Sequence, residues 1–122
     1  MPKHNQQLGR LGESIAADYL RKKGYTILQK NFQKRYSEID LIARDREMFV
    51  FVEVKTRFNT DFGSPEESVS FFKERSIRRA AEYYLTVNEI EIPARIDLVA
   101  VTVDQNQNVI NITHLENISD GF

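Results

Sequence analysis

The 122-residue chain contains no cysteine and no tryptophan, only two histidines, three prolines and five glycines. Without cysteine there can be no disulfide and no thiolate metal site, and the expected compartment is the cytoplasm. The glycosylation-like triplets Asn111-Ile112-Thr113 and Asn117-Ile118-Ser119 then read as chance matches. No apolar run approaches the ~20 residues that span a bilayer. The N-terminal Met-Pro-Lys-His-Asn-Gln-Gln has no hydrophobic signal region, so no membrane association is expected. A Gly-x-Ser-x-Gly elbow, a P-loop, a dinucleotide fingerprint and a zinc-ligand pattern are all missing, which removes the commonest hydrolase, nucleotide and zinc chemistries. An excess of charge is missing too. A net charge of −1 excludes coating nucleic acid by bulk electrostatics, though not a local basic surface.

What is present suits one globular domain. The composition, 41% hydrophobic and 29% charged, is an ordinary soluble balance, and the length fits a single core over residues 1–122, with residues 1–6 as a loose tail.

The most informative stretch is Ser37 to Arg57. Glu38-Ile39-Asp40-Leu41-Ile42-Ala43 and Met48-Phe49-Val50-Phe51-Val52-Glu53-Val54-Lys55-Thr56 read as two strands joined by a short turn. Alternation puts Glu53 and Lys55 on one face, roughly 7 Å apart. If Arg46 and Glu47 form a two-residue turn, Asp45 pairs with Met48 and Asp40 falls opposite Glu53, with Cβ atoms about 5 Å apart. Met48 to Val52 is apolar throughout, so this strand is expected to be buried on both faces. Two carboxylates that close repel, and a divalent cation would relieve the repulsion. The plainer reading is an ion pair of Glu53 and Lys55 at a solvated strand end. A register slip of one residue would separate Asp40 from the pair.

Around this hairpin, Leu8, Leu11, Ile15, Ala16, Tyr19 and Leu20 form an apolar stripe of a helix from about Gln7 to Lys23, closed by Gly24. Gly9 and Gly12 cost helix stability and would serve a close approach by another element. Glu13 borders the stripe, where it either meets solvent or faces the carboxylates. Tyr25–Asn31 reads as a strand. Ser64-Pro65-Glu66-Glu67 is a strong helix start, for a helix reaching about Val87 with Val69, Phe72, Ile77, Ala80 and Tyr84 on its apolar side. Lys73, Arg75, Arg78 and Arg79 make a basic face of that helix, either solvated or phosphate-facing. Arg95–Val103 and Val109–Leu115 read as two further strands about a polar turn. His114, with no partner at ligand spacing, reads as structural or exposed. Helix, three strands, helix and two strands imply a mixed central sheet with helices packed on it.

Gly9-x-x-Gly12-Glu13, Glu38-Ile39-Asp40-Leu41-Ile42-Ala43, Phe51-Val52-Glu53-Val54-Lys55-Thr56-Arg57 and Arg95-Ile96-Asp97 occur in this order. The set, spanning about Gln7 to Val103, resembles the YraN-like family of small bacterial proteins, which resemble Holliday-junction resolvases and carry a PD-(D/E)xK nuclease core. The resemblance implies an α/β fold with an α-β-β-β-α-β restriction-endonuclease-like core and an extra C-terminal strand. It implies Asp40, Glu53 and Lys55 as the nuclease triad, with Glu13 as an additional helix-borne acid. It further implies Mg²⁺ or Mn²⁺ held by Asp40, Glu53, Glu13 and the Val54 carbonyl, and a DNA substrate, branched DNA included. Arg57, Lys73, Arg75, Arg78 and Arg79 would meet its phosphates. Two departures stand out: Ile39 replaces the Pro of the superfamily name, and Ser37 stands where members usually have Gly. Cutting two strands symmetrically would require a homodimer, for which no residue marks the interface. The alternative function is a nucleic-acid- or protein-binding module that keeps the nuclease fold but hydrolyses nothing.

Overall fold

The computed structural model describes residues 3–35, 37–60 and 71–118. Its elements are α1 (Lys3–Lys22), β1 (Thr26–Lys34), β2 (Ser37–Asp45), β3 (Met48–Phe58), α2 (Phe71–Val87), β4 (Ala94–Val103) and β5 (Val109–Leu115). They form one mixed five-stranded sheet in the order β1-β2-β3-β4-β5. All pairs are antiparallel except β3–β4. Parallel neighbours need a long crossover, and the segment carrying α2 supplies it. Element order and sheet type are as the sequence implies.

Alternation along the central strands sends side chains to two cores. Val50 and Val52 of β3, with Leu41, Ala43, Val99 and Val101, pack under Ala16, Ala17 and Leu20 of α1. Phe49 and Phe51, with Ile42 and Ile96, pack under Ile77, Ala80 and Ala81 of α2. The helices therefore cover opposite faces, and β3 is buried on both sides as its unbroken apolar run requires. Full burial of each such side chain contributes roughly 1.5–3 kcal/mol.

Three boundaries differ from the sequence reading. α1 begins at Lys3, so residues 3–6 are helical rather than a loose tail. Those residues are polar and contribute nothing to the apolar stripe that signalled the helix. β1 runs on to Lys34, with Phe32 paired with Ile39 and packed with it on the α2-side core. The helix start at Ser64–Glu67, and with it Val69, lies outside the described residues. α1 ends as expected. Gly24 adopts φ 99°, and the Tyr25 N–H closes the turn onto the Leu20 carbonyl at 3.0 Å.

Candidate metal centre

The β2–β3 hairpin builds the site. Arg46 and Glu47 form the turn, with Arg46 at φ 59°, and pairing runs from Asp45↔Met48 to Leu41↔Val52. The next step would set Asp40 opposite Glu53, but the ladder ends first. Instead the Asp40 carboxylate enters the backbone pattern, its Oδ2 accepting the Val54 N–H at 2.8 Å. Strict alternation also breaks here, since Ile39 and Ile42 both reach the α2-side core. The strands part at this point and leave a cleft of about 1050 Å³. It is lined by Glu13, Glu38, Asp40, Glu53, Val54 and Lys55, among others.

α1 enters the cleft through Gly12. A Cβ there would collide with Thr56 Oγ1 and stand 2.7 Å from Thr56 Cβ, so only glycine allows the helix this close to β3. Glu13 is thereby carried to the cleft, half-buried and hydrogen-bonded to Asn31. Gly9 has open space around it, so the close approach expected of both glycines belongs to Gly12 alone. Lys55 is exposed at the cleft on β3.

Electrostatics are strained. Burial first, then Asp40, pushes the Glu53 carboxyl up to about 7, partly offset by Lys73. Burial likewise raises Asp40, against the lowering effect of the Val54 N–H. Glu13 is raised by burial and by Asp40. Glu53 is 8% exposed, and its Oε1 lies 3.6 Å from Lys73 Nζ. Its Oε2 is buried and receives no hydrogen bond from a described residue, although Asp40 is near enough for the two carboxyls to share a proton. Either a shared proton or a shared cation resolves such a pair. The donors available are carboxylates and backbone carbonyls, hard oxygen ligands that fit Mg²⁺ or Mn²⁺. Glu53 Oε2, which receives no hydrogen bond from a described residue, has the chemistry to take such a cation.

A pH dependence follows. The folded protein holds the Asp40–Glu53 proton more tightly than the unfolded chain does. Metal-free stability should therefore be greatest near pH 4.5 and fall as pH rises to about 7, by on the order of 2–3 kcal/mol from Glu53. Millimolar Mg²⁺ or Mn²⁺ should raise the melting temperature strongly at pH 8 and little at pH 5. Asp40→Asn should flatten both responses. Thermal melts with and without metal at the two pH values check this.

The sequence profile of the uncharacterised protein family UPF0102 matches residues 12–101, most of the chain. The chain belongs to family UPF0102. Full-length relatives agree. A UPF0102 protein of Thermodesulfovibrio yellowstonii is 42% identical over 111 residues, covering 91% of this chain and 94% of its own. One from Caldicellulosiruptor bescii is 43% identical over 119 residues, covering 96% and 98%. A third, from Chlorobium chlorochromatii, is 43% identical over 122 residues, covering 99% and 95%. The span shared with the UPF0102 profile begins at Gly12 and holds Glu13, Asp40, Glu53 and Lys55.

This UPF0102 chain has a second polar cluster that sequence reasoning missed. Asp97, wholly buried in β4, accepts from Arg95 Nε at 2.9 Å and from the Asn117 N–H at 2.9 Å, and its Oδ2 lies 2.8 Å from His114 Nε2. Lys23 Nζ lies 2.8 Å from His114 Nδ1, so the ring donates from Nε2 to Asp97. Arg95 also bonds Glu116 at 2.8 Å and the Tyr25 hydroxyl at 2.7 Å. His114 is thus structural, its side chain 2% exposed. The signals available were the Arg95-Ile96-Asp97 motif, to which no role was assigned, and an acid inside an apolar strand, Ile96-Asp97-Leu98. Ligand atoms of Asp97, His114 and Glu116 lie within 4.8 Å of one another, a group that could hold a metal ion. Two cations, Arg95 and Lys23, already occupy its surroundings. Burial alone would raise the Asp97 carboxyl, yet the bonds from His114, Arg95 and Asn117 hold it below the ordinary range. A metal here would have to displace satisfied partners; at Glu53 it would supply a missing one.

The expected basic face is divided. Lys73 turns to Glu53, and Arg78 lies 3.8 Å from Glu74, while Arg75 and Arg79 are exposed. Arg57 is half-buried on β3 beyond Lys55. No helix among the described residues is long and apolar enough to cross a membrane.

Proposed function

We propose that this chain is a cytoplasmic, Mg²⁺- or Mn²⁺-dependent endonuclease of the PD-(D/E)xK type acting on DNA, branched DNA included. The observation that carries this reading is the buried Glu53 oxygen beside Asp40, without a hydrogen-bond partner among the described residues, at the point where β2 and β3 part. Asp40, Glu53, the Val54 carbonyl and Glu13 would hold the cation. When bound, it supplies positive charge that neutralises the phosphate and makes a nearby water more acidic.

The chain's own residues do the rest. The Asp40 bond to the Val54 N–H locks the two motif strands at a fixed offset, so the carboxylates are positioned before substrate arrives. Lys55 sits exposed at the cleft, where its ammonium can orient the attacking water or offset charge developing on the phosphate. Glu13, raised in pKa by burial, can accept a hydrogen bond from that water or complete a second cation position. Cutting two strands symmetrically would take two copies of the chain related by a twofold axis.

Incubation of purified protein with linear, nicked and four-way DNA in Mg²⁺ or Mn²⁺ tests the proposal. Metal-dependent cleavage that Asp40→Asn abolishes supports it. Binding without cleavage of any DNA or RNA under either metal makes the chain a binding module on a nuclease fold. DNA affinity itself should depend on α2. Arg75→Glu with Arg79→Glu should weaken duplex binding and reduce its log–log salt slope by about 2, since each phosphate contact contributes about 0.9. The metal response of the melting temperature should persist in that variant. Binding titrations at several salt concentrations measure both effects.

A further inference from the structure

The motif supplies Lys55 as the cation of the site, but the cation that the structure sets against Glu53 comes from elsewhere. Lys73, near the start of α2, places its Nζ 3.6 Å from Glu53 Oε1. Its side chain is 44% exposed while that of Glu53 is 10% exposed, so the ammonium reaches from solvent into the buried end of the pair. Lys73 lies on the helix that covers the Phe49–Phe51 face of β3, and Glu53 continues that face. The contact thus joins the α2 side of the sheet to a cleft that α1 enters from its own side. One oxygen of Glu53 meets this lysine, and the other receives no hydrogen bond from a described residue. A divalent cation bound by Asp40 and Glu53 would bring two positive charges toward a carboxylate that already has one beside it. Like charges that close repel, and the flexible, half-exposed lysine is the partner able to move.

We propose that Lys73 is a built-in counterion of the metal-free site, displaced from Glu53 when a divalent cation binds and thereby released toward the phosphate of the substrate. This rests on the metal-centre reading above and adds a coupling to it. In the empty site Lys73 screens the carboxylate pair. In the loaded site the same side chain, no longer held by Glu53, becomes an additional phosphate contact on the α2 side of the cleft. Metal binding and DNA binding are then linked through one residue, because the metal must displace a lysine that DNA can recapture.

The test compares wild type with Lys73→Met, which keeps the apolar stem and removes the charge. Mn²⁺ binding is followed by calorimetry without DNA, and duplex binding is followed in EDTA and in Ca²⁺. With its competitor gone, Lys73→Met should bind Mn²⁺ roughly three- to tenfold more tightly. Its metal-free melting temperature at pH 8 should fall and its Mn²⁺-induced rise should grow. DNA affinity should drop in Ca²⁺ and stay near wild type in EDTA. Lys73→Arg should restore the wild-type Mn²⁺ affinity. Unchanged or weaker Mn²⁺ binding by Lys73→Met overturns the counterion role and leaves the metal centre standing. Absence of Mn²⁺ binding by both proteins at millimolar concentration overturns the metal centre and the counterion role together.

Discussion

Lys55→Ala should lose DNA cleavage by about a hundredfold or more while folding normally and binding DNA almost as well as wild type. The two outcomes separate because they draw on different sums. In the proposed nuclease Lys55 would supply one positive charge at the reacting phosphate, and removal of a single preorganised contact to a transition state costs roughly 3 kcal/mol. Duplex affinity instead adds many phosphate contacts, of which this is one. Stability should hold because Lys55 is exposed. Single-turnover cleavage, electrophoretic binding in Ca²⁺ and thermal melts on one preparation check all three. Equal loss of binding and cleavage would make Lys55 a docking residue, and a change in stability alone would make the cluster structural.

Asp97→Ala should be the most damaging single change to the fold, at about 3–5 kcal/mol. Asp97 is wholly buried, and its removal leaves Arg95, His114 and the Asn117 N–H without their common acceptor. The C-terminal stretch after β5 would lose its attachment to β4, where the Ile118 N–H also bonds the Ile96 carbonyl at 2.8 Å. Its pH signature is opposite to that of the Asp40–Glu53 pair. The Asp97 carboxyl is held below its ordinary value, so its contribution is complete above about pH 4 and is lost as pH falls further. The Asp40–Glu53 pair does the reverse, becoming costly as pH rises to about 7. A urea titration of Asp97→Ala measures the loss. Melts of wild type, Asp97→Ala and Asp40→Asn across pH 3–8 should resolve one cluster on each side of the profile. A loss below 1 kcal/mol would show that Arg95 and His114 find other partners.

Local rules carried most of the fold and the placement of Asp40 beside Glu53. The two-residue turn at Arg46-Glu47 fixed the β2–β3 register, and an unbroken apolar run from Met48 to Val52 marked a strand buried on both faces. Gly12 marked the contact of α1 with β3, since glycine costs helix stability and here makes room for Thr56, although Gly9 carried the same signal with no neighbour behind it. What local rules could not supply were pairings between distant elements. Lys73 meets Glu53 only because α2 packs on β2 and β3, and nothing in the helix's own periodicity says which strand lies beneath it. His114 reaches Asp97 only because β5 pairs with Val99↔His114 in register, past a shift at Thr102 and Val103. No turn rule over Asp104–Asn108 yields that shift. The early start of α1 was hidden for a different reason: its first turn is polar and leaves no stripe to read.

The central claim is that Asp40 and Glu53 form a metal centre. The most direct measurement is anomalous diffraction at the manganese edge from crystals grown at pH 8 with Mn²⁺. The account predicts one strong peak within coordination distance of the Asp40 and Glu53 carboxylates, with Lys73 Nζ withdrawn from Glu53. A peak among Asp97, His114 and Glu116 instead, or no peak at the carboxylate pair at millimolar Mn²⁺, would contradict it.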